Sequence, residues 1–157
     1  MSSRAERSKS APAEVDRQAV ESYVLEEQVG FLLRRVHQHA TDVFNGVMEG
    51  FDITPTQFAA LVKLHDLGPT SQNQLGRLIA MDPATMFGVA GRLAKRGLVL
   101  QAPDPNDARL TVLRLSEEGK ALVEGMKSRG VEVSRRTLEK LDPEEAATLC
   151  RLLAKMV

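Results

Sequence analysis

Residues 97–124 read GLVLQAPDPNDARLTVLRLSEEGKALVE. Two runs rich in Leu and Val, 98–102 and 110–115, are separated by Asp-Pro-Asn-Asp-Ala-Arg, which has nothing apolar to bury. Leu and Val suit strands while Pro, Asn and Asp suit turns, so the stretch predicts a β-hairpin with a wholly polar tip. Ser116 then caps a helix, and Glu117 and Glu118 lie in its first turn, facing the positive end of the helix dipole. A tip of this kind meets water or a partner, not core.

Upstream of the hairpin, three helix starts are written in the same chemistry. Thr54-Pro55-Thr56-Gln57 combines a capping Thr, Pro at the first helical position and Gln at the third, a box that satisfies free backbone N–H groups. This helix should run to about Leu67, where Gly68-Pro69 stops it. Ser71-Gln72-Asn73-Gln74 repeats the box and opens a short helix carrying Leu75, Leu78 and Ile79 inward. With Ala80-Met81 as the only connection, Asp82-Pro83 caps a third helix that buries Met86, Val89, Ala90 and Leu93 and ends at Gly97. Two helices joined by so tight a turn predict a helix-turn-helix, whose second helix enters the DNA major groove. Followed by a two-stranded hairpin, it becomes a winged helix, and residues 104–109 become the wing tip.

The charge pattern is local. Twenty-one basic and twenty-one acidic residues leave the 157-residue chain neutral, so the molecule as a whole makes no case for DNA or a membrane. Between Pro83 and Pro103, however, Arg92, Lys95 and Arg96 stand without any acid. The plainer reading of this run is a solvated helix face followed by a strand. Cys150 is the single cysteine, there is no apolar run of membrane-spanning length, and the polar start lacks a signal-peptide core, so a cytoplasmic protein is expected.

Flanking the winged helix, residues 1–13 read as a mobile tail, 14–52 as N-terminal dimerisation helices and 116–157 as C-terminal ones, leaving 53–115 as the DNA-binding domain. Val15, Ala19 and Tyr23 suit a short amphipathic helix. A long stripe follows through Leu25, Val29, Leu32, Leu33, Val36, Ala40, Val43, Phe44, Val47 and Met48, at the three- and four-residue spacing of one helix face. The segment, roughly 25 residues, exceeds what a small domain needs, which points to packing against another chain. Gly125 and Gly130 weaken the helix after the wing. Asp142-Pro143-Glu144-Glu145 opens the last one, with a stripe through Leu149, Leu152, Leu153 and Met156.

In the order of elements and the residues that fill them, Leu25 to Val157 resembles the MarR-type transcriptional regulators. The wing signature of that family, Gly-Leu-Val, Asp-Pro-x-Asp-x-Arg, a strand, then Ser or Thr followed by acid and Gly, is similar to this sequence at Gly97, Leu98, Asp104, Pro105, Asp107, Arg109, Leu115, Ser116 and Gly119. Thr54, Gln57, Phe58 and Leu61 resemble its Leu-Thr-x-x-Gln-Phe segment. The resemblance implies a mainly α fold with a small β-hairpin wing, and a homodimer straddling a pseudo-palindromic operator with recognition helices about 34 Å apart. It further implies that Arg109 enters the minor groove while Asp107 pairs with it or braces the turn; the alternative is that both merely staple the hairpin.

Candidate DNA contacts are Ser71, Asn73, Gln74, Ala84, Thr85, Phe87, Gly88, Arg92, Lys95, Asp107 and Arg109, with Thr85, Gly88 and Arg92 on one exposed face. Three departures from the family pattern stand out: Phe87 and Gly88 replace polar or basic residues, and Ala108 replaces a basic one. Phe87 either touches a thymine methyl or belongs to the core.

Members of the family are commonly released from DNA by small, often anionic aromatic compounds, so the resemblance implies an effector of that kind and no cofactor. Arg35, His37, His39, Phe44, Phe58 and His65 are the candidate contacts. His37 and His39 are about 200° apart around a helix and cannot chelate one metal together. Cys150 reads as an interface thiol rather than a redox switch. Nothing in the chain offers a phosphate loop, a metal-ligand cluster or a nucleophile motif, which argues against an enzyme. The alternative to operator binding is a winged-helix module used for protein contact.

Overall fold

The computed structural model describes residues 22–157. Within them a 3₁₀ turn (Leu25–Glu27) precedes α1 (Val29–Val47), α2 (Pro55–Leu67), β1 (Thr70–Ser71), α3 (Gln72–Leu78), α4 (Pro83–Lys95), β2 (Val99–Pro103), β3 (Thr111–Leu115), α5 (Glu117–Thr137) and α6 (Pro143–Ala154). The tail 1–13 and the short helix expected through Val15 and Ala19 lie outside the described residues. The backbone falls into two units, one ending at Val36 and one spanning His37–Val157.

In the first unit, Leu25, Val29, Leu32, Leu33 and Val36 are all exposed. The long helix begins later than its apolar stripe, spanning 19 residues rather than about 25. Gln28 takes an extended conformation (φ −75°, ψ 131°), which ends the 3₁₀ turn and makes its carbonyl the first acceptor of α1, for the Leu32 N–H.

The second unit holds the core. Leu61, Leu64, Leu75, Met86, Leu93, Leu113 and Met126 are fully buried, and each such side chain contributes about 1.5–3 kcal/mol of transfer free energy. The box at Thr54 closes both ways: its hydroxyl accepts from the Gln57 N–H and the Gln57 side chain accepts from the Thr54 N–H. At Ser71 only half of the box forms, with the hydroxyl accepting from the Gln74 N–H. Leu75 points inward as expected, but Leu78 is 48% exposed, a correction that follows from α3 being two turns long and able to bury only one narrow stripe.

Three strands form one antiparallel sheet in the order β1-β3-β2. The hairpin register runs from Val99 opposite Leu115 to Pro103 opposite Thr111, one residue later at each strand start than the sequence suggested. The third strand was not anticipated. Thr70 and Ser71 pair with Leu113 and Val112, and two residues placed before a helix cap leave no periodicity to read.

The root of the wing is fixed by α5. Ser116 caps that helix by accepting from the Gly119 N–H (2.9 Å) while its hydroxyl donates to the Gly97 carbonyl (2.6 Å). A Cβ at residue 119 would lie 2.1 Å from the Leu98 carbonyl oxygen, so only glycine permits this approach. Gly130 is likewise occupied, by the Phe58 ring, where a Cβ would meet Cζ at 2.8 Å. The α6 helix buries none of its residues; Leu152 and Met156 are exposed and Leu149 and Leu153 half-buried.

Candidate nucleic-acid interface

The turn between α3 and α4 is tight because two residues allow it. Ala80 adopts a left-handed conformation (φ 53°), and Gly76, whose Cβ would meet the Met81 carbonyl oxygen at 3.3 Å, lets that turn close against α3. The Met81 N–H donates to the Gly76 carbonyl at 2.8 Å. Asp82 then starts α4, accepting from the Thr85 N–H (2.9 Å) and from the Thr85 hydroxyl (2.5 Å). That hydroxyl bond is the main reason the Asp82 carboxyl sits below its ordinary range.

Met86, Val89, Ala90 and Leu93 bury one side of α4. On the opposite side Ala84, Gly88 and Gly91 follow one another at helical spacing, all small, with Phe87 on one edge and Thr85 and Arg92 on the other. Phe87 is 72% exposed, so it does not belong to the core. The Arg92 guanidinium lies over Gly88, where a Cβ would meet Nη1 at 3.3 Å. Neither Arg92 nor Lys95 has a hydrogen-bond or ion-pair partner among the described residues. Arg96 is different. Its guanidinium donates to the carbonyls of Asp52 and Phe51 and lies 3.8 Å from the Asp52 carboxylate, so it braces the loop between α1 and α2 and is withdrawn from the basic run.

At α3 the Ser71 hydroxyl is committed to its cap, whereas Asn73 and Gln74 are exposed in the first turn. Two exposed positions escaped the sequence reading. Arg77 lies in the last turn of α3, on a cleft of about 430 Å³ shared with Gln72, Asn73 and Pro83. Gly91 faces open space. Arg77 precedes the turn and so lies outside the basic run 92–96, and Gly91 has no side chain to mark it.

The wing tip is built from its own acids. Asp104 Oδ1 accepts from the N–H groups of Asn106 (2.8 Å) and Asp107 (3.1 Å). Asp107 Oδ1 accepts from the Arg109 N–H (3.1 Å) and Nε (2.9 Å), and Oδ2 from Nη2 (3.1 Å). Pairing and bracing are therefore one arrangement. The guanidinium beside it holds the Asp107 carboxyl below its ordinary range, while Arg109 itself stays 89% exposed.

Of the effector candidates, Arg35, His37 and His39 are exposed on α1. Phe44 is buried and meets Phe58 edge to face, with ring centroids 5.6 Å apart, so both rings serve the core. His65 is half-buried, with Nδ1 3.2 Å from Lys127 Nζ, and forms part of a cleft of about 260 Å³ with Leu64, Arg114 and Lys120. A larger cleft of about 590 Å³, at the end of α1 and the start of α2, carries Arg92, Lys95 and Arg96 together with Glu49 and Asp52.

Residues 53–111 match the model of the MarR family. The transcriptional repressor NicR from Pseudomonas putida is 37% identical over 135 residues, which span 86% of this chain and 85% of NicR. This chain belongs to the MarR family. Among solved structures, Bordetella bronchiseptica BpsR, whose DNA binding is regulated by 6-hydroxynicotinic acid, is 36% identical with a TM-score of 0.81, over 85% of this chain and 96% of that one. A complex of a MarR variant from E. coli with operator DNA is 27% identical with a TM-score of 0.78, over 87% and 99% of the two chains. The MarR-family chain is thus a DNA-binding transcriptional regulator and not an enzyme. No helix among its described residues is long and apolar enough to cross a membrane.

Proposed function

We propose that the chain is a homodimeric repressor, acting in the cytoplasm, that binds a pseudo-palindromic operator through α3, α4 and the wing and is released by a small aromatic acid. The observation that carries the reading is the outward face of α4, where Ala84, Thr85, Phe87, Gly88, Arg92 and Lys95 turn away from the core and the Arg92 and Lys95 side chains have no partner among the described residues. Asn73 and Gln74 stand beside it, Ser71 sets the α3 start, and Arg109 with Asp107 approaches the minor groove, where a narrow A·T tract attracts a guanidinium. Dimerisation is assigned to the two ends of the chain. The exposed leucines and valines before His37 and the incompletely covered stripe of α6, with Leu152 exposed and Leu149 and Leu153 only half-buried, support it, because an amphipathic helix gains stability by covering the rest of its stripe elsewhere.

The effector class follows BpsR: a hydroxylated aromatic carboxylate of the size of 6-hydroxynicotinate. Of the clefts described, the one at His65 has the better walls for it, with Leu64 for the ring and Arg114 and Lys120 for the carboxylate. Sedimentation of the purified chain, followed by mobility shift on DNA upstream of its own gene with and without 6-hydroxynicotinate, tests all three parts. A dimer that binds and is released supports the proposal. A chain that ignores DNA at low salt is instead a winged-helix module for protein contact, a role for which the exposed Phe87 ring would be suited.

A further inference from the structure

Phe87 is the one large apolar side chain on the outward face of α4, and at 72% exposure its ring leaves most of its surface in water. The groups around it are small or, at Thr85, already engaged, and Arg92 stands at the edge of the face. Ala84, Gly88 and Gly91 carry no side chain long enough to hold the helix backbone away from an approaching surface. The Thr85 hydroxyl donates to Asp82, and the Arg92 guanidinium lies over Gly88. A helix with this face can sink deeply into a groove and has one side chain ready to make an apolar contact there.

The major groove of DNA displays one apolar feature, the 5-methyl group of thymine; the remaining base edges present hydrogen-bond donors and acceptors that a phenyl ring cannot satisfy. We infer that Phe87 reads a thymine in each operator half-site through its methyl group, and that this contact carries the largest share of the base preference of α4. The inference rests on the operator-binding reading and deepens it. No acid lies among residues 83–103, and the nearest carboxylate on this helix, Asp82, is engaged by the Thr85 N–H and hydroxyl, so Arg92 and Lys95 are the charges this helix offers to the phosphate backbone.

Replacing every thymine of a bound operator by uracil removes the methyl groups and leaves the pairing edges intact. One buried methyl is worth roughly fourfold in affinity, so two half-sites give the wild type a loss of roughly fifteenfold. Phe87→Ala, a change at a side chain 72% exposed, should bind the thymine and uracil operators within about twofold of each other on the same scale. That combination supports the inference. Equal wild-type affinity for both operators overturns it, and so does an equal loss in wild type and Phe87→Ala, which would place the methyl effect in DNA shape. A wild-type protein that binds no thymine-containing operator removes the operator reading itself and this inference with it.

Discussion

The wing tip and α4, the two surfaces assigned to DNA, are built in opposite ways. At the tip, Asp107 neutralises Arg109 and Asp104 holds two backbone N–H groups, so the charged groups that shape the turn face one another. Along α4, Arg92 and Lys95 have no partner and the Phe87 ring is bare. A loop with no core must spend its polar atoms on its own shape, whereas a helix capped by Asp82 and anchored by Met86, Val89, Ala90 and Leu93 leaves its outer face free. The tip is braced by its own residues, and the outer side chains of α4 are not.

The strongest way to break the comparison is to unseat the wing. Gly119→Ala drives a methyl into the Leu98 carbonyl and should cost about 3 kcal/mol, read as a lower urea midpoint. Next in size, Arg92→Ala removes an unpaired cation and should weaken operator binding by about tenfold. Arg109→Ala should also weaken it, by less, because the lost guanidinium was already shared with Asp107; the salt slope should fall by about one per wing. Unchanged affinity after Arg109→Ala would leave the pair as a staple of the hairpin only.

The smallest effect is a titration. Asp107 is held below the ordinary range of an aspartate, first by the Arg109 side chain and then by the Arg109 N–H. A depressed carboxyl stabilises the fold at pH above its unfolded value and loses that contribution as pH falls through the folded one, so the brace is intact at neutral pH and fails only in strong acid. NMR titration should place its midpoint below that of an ordinary aspartate in wild type and move it back toward the ordinary value in Arg109→Ala.

Much of the architecture is legible in the sequence because caps and wing residues act locally. Thr54, Ser71, Asp82, Ser116 and Asp142 each cap the helix they precede, and Asp104 and Asp107 bond within three residues. What escaped depends on distant partners. Arg96 reads as one more cation until the Phe51 and Asp52 carbonyls, 45 and 44 residues away, come against it. Strand β1 exists only because β3 lies beside it. The edge-to-face contact of Phe44 and Phe58, 14 residues apart, likewise comes into view only when α1 and α2 pack together.

The central claim is that α4 and the wing together make this chain a sequence-reading DNA binder. It is tested most directly by enriching a random DNA library on the purified chain and measuring affinity for the enriched and a scrambled duplex across a salt series. The expected result is a paired, inverted-repeat site bound far more tightly than the scrambled duplex, with affinity falling linearly in log salt. Equal affinity for the two duplexes, or no binding at low salt, would contradict it.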